Sequence, residues 1–97
     1  MSTGGEILKK LLSSEVKGDL LVLFRKNPGL IDSMDGVARR IGLVPKSVEE
    51  DVRDLVGLGI LATKQIGNSE AIYLDRGKDK EIQETVADYL RGLKKDG

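Results

Sequence analysis

Ninety-seven residues hold one domain, because two independent cores would not fit, and a chain 39% hydrophobic and 33% charged reads as a soluble globular protein and not a disordered tail. Sixteen Lys and Arg balance sixteen Asp and Glu, which argues against a binder of nucleic acid with a general basic excess but leaves room for a local basic surface. Cys and His are both absent, so a disulfide framework and a thiolate zinc site are excluded and the commonest general base and metal ligand is missing; no metal, no cofactor and no enzymatic activity are expected, and the cytoplasm is the expected compartment.

Residues 1–5 are small and polar and are expected to fray; they lack the basic-then-apolar order of a secretory leader. Ile7, Leu8, Leu11 and Leu12 share one helical face over a short segment. Ser13 and Ser14 mark a break or a new cap. Val16, Leu20, Leu23 and Phe24 then form a second helical stripe, stopped by Asn27-Pro28-Gly29. These two stretches make either one bent helix or two. Leu20–Phe24, the longest strictly apolar run, is too short to span a bilayer, and no membrane partner is expected.

Asp32 or Ser33 can cap the next helix, with Asp35 in its first turn favouring the positive end of the dipole. It runs through Val37, Ala38 and Ile41 and ends at Gly42, a residue suited to a left-handed cap. After Leu43 and Val44, Pro45 fits the first position of a further helix, which buries Val48, Val52, Leu55 and Val56 and closes at Gly59. The period then changes. Leu61–Ile66 and Ala71–Leu74 are short strand-like runs separated by Gly67-Asn68-Ser69-Glu70, which reads as a hairpin over 61–75. Arg76-Gly77-Lys78 is a short connection. Residues 79–95 are helical again, with Ile82, Val86, Tyr89, Leu90 and Leu93 on a narrow apolar stripe. With Phe24, Tyr73 and Tyr89 the only aromatic residues, the core must be aliphatic.

Residues 37–61 read VARRIGLVPKSVEEDVRDLVGLGIL. This segment resembles the helix-turn-helix of winged-helix regulators of the multiple-antibiotic-resistance and arsenical-resistance repressor type, found in bacteria and archaea. Ala38 is small where the following helix crosses closely, Gly42 turns the chain, Leu43 plugs the corner, and Gly59 releases the chain into the wing. The expected fold is therefore α+β and mostly helical: a winged helix-turn-helix with a three-helix core, a two-stranded wing, and extra N- and C-terminal helices. Residues 33–59 form the helix-turn-helix, 61–75 the wing and 79–95 the last helix, all within one domain over 1–97.

The resemblance implies a prokaryotic transcriptional regulator that binds double-stranded DNA, the second helix of the motif entering the major groove by its N-terminal end. With Val48, Val52 and Leu55 inward, a rotation of about 100° per residue points Lys46, Ser47, Glu50, Arg53, Asp54 and Gly57 outward, with Glu49 on the flank. The candidate DNA contacts are Arg39, Arg40, Lys46, Ser47, Glu50 and Arg53, with Lys64 and Asn68 from the wing. Competing roles are surface ion pairs: Arg39 or Arg40 with Asp35 or Asp51, and Arg53 with Glu49 one turn earlier. The sequence departs from the family at Glu49 and Glu50, carboxylates at positions matching usual base contacts, and at Val44, which cannot cap as Ser or Thr would.

Terminal helices commonly pair subunits in the resembling families, so Ile7, Leu8, Leu11 and Leu12 with Ile82, Val86, Tyr89, Leu90 and Leu93 form a candidate homodimer seam. The alternative is that both stripes pack on their own core. Residues 33–61 carry four basic and five acidic side chains, a net charge of −1, which keeps open a second reading: a winged helix that docks a basic protein partner. A third reading, a ligand-sensing regulator, would require an apolar cavity beside Tyr73 or Tyr89. The carboxylates Glu49, Glu50, Asp51 and Asp54 splay around one helix and do not suggest a metal site.

Overall fold

Side chains that accept hydrogen bonds set where most of the helices begin. In the computed structural model, which describes residues 3–95, Thr3 Oγ1 accepts from the Glu6 N–H at 3.2 Å and starts α1 (Gly4–Leu11). Ser14 Oγ accepts from Val16 and Lys17 N–H and starts α2 (Glu15–Lys26), so the serine pair separates two helices. Of the frayed start expected over 1–5, Met1 and Ser2 lie outside the described residues, while Gly4 and Gly5 form the first turn of α1.

The short strand β1 (Ile31–Asp32) follows, then Ser33, whose hydroxyl accepts from the Gly36 N–H and caps α3 (Met34–Arg40). Pro45 opens α4 (Pro45–Leu58) after Val44, which supplies no side-chain cap. Strands β2 (Leu61–Ile66) and β3 (Ser69–Leu74) form the hairpin, and α5 (Arg76–Lys95) completes the chain. This α+β, mostly helical arrangement is the winged helix-turn-helix expected from the sequence.

The two helices of the motif end in the same way. At the end of α3, Leu43 N–H donates to the Ala38 carbonyl at 2.9 Å and Gly42 N–H to that of Arg39 at 3.1 Å, with Gly42 at φ 74°. At the end of α4, Ile60 N–H donates to Leu55 and Gly59 N–H to Val56, with Gly59 at φ 88°. Both are Schellman terminations, and the left-handed residue in each is glycine because a Cβ would be strained there. Leu43, expected to plug the corner, is instead exposed; Ile60, its counterpart after α4, is fully buried.

The sheet has three strands in the order β1-β3-β2, all antiparallel. The hairpin is tighter than expected: Ile66 pairs with Ser69, leaving Gly67-Asn68 as a two-residue turn. Gly67 has φ 60° and Asn68 does not share that sign, the pattern of a II′ turn with glycine first. The third strand, β1, pairs Ile31 with Tyr73 and Asp32 with Ile72 and was not visible in the sequence pattern. Two residues are too few to show alternation. The last helix starts three residues earlier than expected, because Asp75 Oδ1 accepts from the Lys78 N–H and so draws 76–78 into the first turn.

The core joins Leu20 and Phe24 of α2, Val37 and Ala38 of α3, Val48, Val52 and Leu55 of α4, and Leu61, Ile72 and Leu74 of the hairpin. Ile7 and Ile82 belong to the same core, so two residues of the expected dimer seam are internal to one chain. Leu11 and Val86 are half-buried against that core, and Leu8 is half-buried too. Leu12, Tyr89, Leu90 and Leu93 are exposed. None of the described helices is long and apolar enough to cross a membrane.

Contact between α1 and α5 is close enough to require glycine. A Cβ on Gly4 would lie 2.6 Å from the Tyr89 Cβ and 2.8 Å from the Thr85 carbonyl oxygen, and backbone cannot swing aside as a side-chain tip can. Gly18, inside α2, has nothing within 4 Å of the same position. Urea unfolding should therefore separate the two: Gly18→Ala gains about 0.5–1 kcal/mol from helix propensity, whereas Gly4→Ala loses about 1–3 kcal/mol through overpacking.

Candidate nucleic-acid interface

The face that matters is what α4 leaves outside once its apolar stripe is buried. Val48, Val52 and Leu55 have no exposure, and Lys46, Ser47, Glu49, Glu50, Arg53 and Gly57 are exposed, as the rotation along the helix requires. Asp54 departs from that expectation. It turns with Asp51 towards α2 and meets Lys17, a residue the sequence analysis did not single out.

Lys17 is 4% exposed and its ammonium has three acceptors: Asp54 Oδ2 at 2.9 Å, Asp51 Oδ1 at 3.1 Å and Ser13 Oγ at 3.1 Å. Every donor of the buried ammonium thus has a partner, which is the condition for keeping a charge out of water. The hydrogen bond to Asp54 raises the Lys17 ammonium above its ordinary value, against burial, which lowers it; Asp51 adds to the rise. Lys17 in turn holds the Asp54 carboxyl below the usual carboxylate range. The signal for Lys17 was available: residues 17, 20 and 24 lie on one helical face, and Leu20 and Phe24 are core.

Two of the three candidate arginines have partners other than those expected. Arg40 Nε donates to Asp32 Oδ2 at 3.0 Å, not to Asp35 or Asp51. The Asp32 carboxylate occupies the space where a Cβ on Gly36 would project, and Ser33 N–H donates to it at 2.8 Å. Arg40 holds the Asp32 carboxyl below its ordinary value; burial opposes this and the Ser33 N–H assists. Arg53 Nη2 donates to Glu70 Oε1 on the wing at 2.8 Å, not to Glu49. Arg39 and Lys46 are exposed and have no carboxylate partner among the described residues.

On the wing, the Lys64 ammonium sits 5.5 Å from the centre of the Tyr73 ring, a cation–π arrangement, and Asn68 is exposed at the turn. A groove of about 380 Å³ separates the start of α3 from α4 and the wing; among the described residues, Asp35, Glu49 and Glu70 line it around the single cation Arg53. A second groove, of about 410 Å³, lies between α1, α2 and α5 and is lined by Leu8, Leu11, Leu12, Leu21, Val86 and Leu90 among others. Neither groove is lined by Tyr73 or Tyr89, where an apolar cavity would have supported ligand sensing. Among the described residues, no group of three or more Asp and Glu is arranged to hold a metal ion.

The fold is similar to that of a solved structure described as a possible transcriptional regulator from Methanosarcina mazei Go1, with a TM-score of 0.66 and 15% sequence identity over 95% of this chain and 83% of that one. At that identity the likeness is one of fold. No protein-family model matches the chain, and no curated protein does.

The ion pairs give stability a defined pH range. Asp32 and Asp54 titrate below their unfolded values, so they add stability above about pH 4 that is lost as pH falls through the folded values. Lys17 titrates above its unfolded value, so its contribution is complete below about pH 10 and is lost as pH rises through the folded value. Thermal unfolding should show a falling midpoint on the acid side that Asp32→Asn and Asp54→Asn each make shallower. At neutral pH, Lys17→Met should lower the midpoint by about 5–10 °C, because two carboxylates lose their cation.

Proposed function

We propose that the chain, whose fold is that of a winged helix-turn-helix, binds double-stranded DNA as a homodimer and regulates transcription in the cytoplasm without cofactor or catalysis. The observation that carries this reading is the placement of Arg39 and Lys46. They stand at the end of α3 and the start of α4, on either side of the Gly42 turn, exposed and unpaired among the described residues. Two free cations flanking the leading end of a recognition helix suit the phosphates bordering a major groove, with Ser47 and Glu50 next in line for base edges. A carboxylate at 50 can accept from a cytosine amino group. Arg40, Arg53 and Lys64 would exchange their present partners for backbone phosphates, and Asn68 would reach the backbone from the exposed turn of the wing.

The charge count also supports this reading better than the sequence alone suggested. Two of the five acidic residues of the motif, Asp51 and Asp54, point to Lys17, and adding that cation brings the net charge of the segment from −1 to zero. For the homodimer, the exposed Leu12, Tyr89, Leu90 and Leu93 are the surface on offer, beside the groove between α1, α2 and α5. A second reading, docking of a basic protein partner, draws on the groove in which Asp35, Glu49 and Glu70 surround one arginine.

The test is binding to a mixed, labelled duplex pool from about 50 to 200 mM salt. Affinity should fall steeply with salt, and Lys46→Ala and Arg39→Ala should each weaken binding and reduce the slope by about one. Absence of binding at the lowest salt would overturn the DNA reading and leave the basic partner. Sedimentation should report a dimer that Leu90→Glu converts to a monomer; a monomeric parent chain would remove the homodimer from the proposal.

A further inference from the structure

Among the described residues, Arg53 is the only cation lining the groove between α3, α4 and the wing, and it is paired. Its Nη2 donates to Glu70 Oε1 at 2.8 Å, a contact between residues 17 apart in sequence. Glu70 sits on β3 opposite Gln65 and near the turn of the wing. Both side chains are close to half exposed, at 47% and 41%, so the pair is open to solvent and to any incoming anion. A guanidinium takes carboxylate and phosphate through the same donors.

The pair is not needed to hold the wing. β2 follows α4 after only Gly59 and Ile60, β3 is hydrogen-bonded on both sides, and Ile72 and Leu74 are in the core. A half-exposed ion pair adds little to such an anchorage. The Glu70 carboxylate instead engages a guanidinium donor of Arg53 that a phosphate could also use. On release from Arg53, Glu70 would stand in a groove already carrying Asp35 and Glu49, facing the backbone of a bound duplex.

We propose that Glu70 is an affinity-setting residue, a wing carboxylate that competes with DNA phosphate for Arg53 and keeps the binding of the free protein weak. This rests on the DNA reading above and adds the competitor to it. Binding then requires exchange of one anion for another at Arg53, and the salt dependence is shallower than the number of cations on the face implies.

The experiment compares the 97-residue chain with Glu70→Gln, Arg53→Ala, the double variant, and Glu84→Gln as removal of an exposed α5 carboxylate that does not line the groove, each checked for folding by circular dichroism. The duplex pool and salt series are those already described. Glu70→Gln should tighten binding about two- to fivefold and steepen the salt slope by about one. It should have no effect in the Arg53→Ala background, and Glu84→Gln should leave binding unchanged. Equal tightening with and without Arg53 would overturn the proposal in favour of general charge repulsion. Unchanged or weaker binding by Glu70→Gln would overturn it in favour of a structural clasp. Silence from the parent chain at the lowest salt would overturn the DNA reading itself and the competitor with it.

Discussion

The rotation of α4 about its own axis decides what this protein can present. Val48, Val52 and Leu55 are wholly buried, and burying each such side chain is worth about 1.5–3 kcal/mol. Turning the helix by one residue would expose them and also pull Asp51 and Asp54 from Lys17. The apolar stripe and the buried ammonium therefore specify the same orientation by different means. α4 contacts α2, α3 and β2, so its exposed face is fixed relative to the rest of the motif and the wing.

A net charge of zero hides a strong sorting of charge. Lys17 is buried between two aspartates, and Asp79, also buried, receives a two-point contact from Arg25 and a hydrogen bond from Gln83. Each joins helices distant in sequence and is expensive to break, because the partner left behind has limited access to water. Arg40 with Asp32 and Arg53 with Glu70 are more open to solvent, and pairs of that kind add little stability. The first kind organises the fold. The second kind leaves cations on the surface that can change partner.

The helix boundaries, the buried stripe of α4 and the glycine terminations were legible because each rests on a local rule: a serine cap, a 3.6-residue period, a left-handed residue. The partners of the charged side chains were not legible in the same way. A neighbour four residues away is the natural guess for Arg53, yet its partner lies 17 residues off, across a strand register that no single segment specifies. Lys17 and Asp79 were missed for a narrower reason. Each continues an apolar stripe by one more turn, Lys17 before Leu20 and Phe24, Asp79 before Ile82 and Val86, and a search for apolar residues alone passes over them. The expected seam was divided for a geometric reason: α1 is short and lies on α5 through Gly4, so one flank of each stripe is consumed within the chain.

The order β1-β3-β2 leaves β2 with one side unpaired along its length. An open edge of this kind is a template for another chain, and a protein that displays a wing must prevent its copies from adding strand to strand. Here β2 has six residues, its first, Leu61, is buried beneath the body of the fold, and its far end turns at once through Gly67-Asn68. Lys64 places a charge in the middle of what remains. The stretch accessible to an intruding strand is thus short and charged, two features that oppose edge-to-edge pairing of the hairpin with another copy.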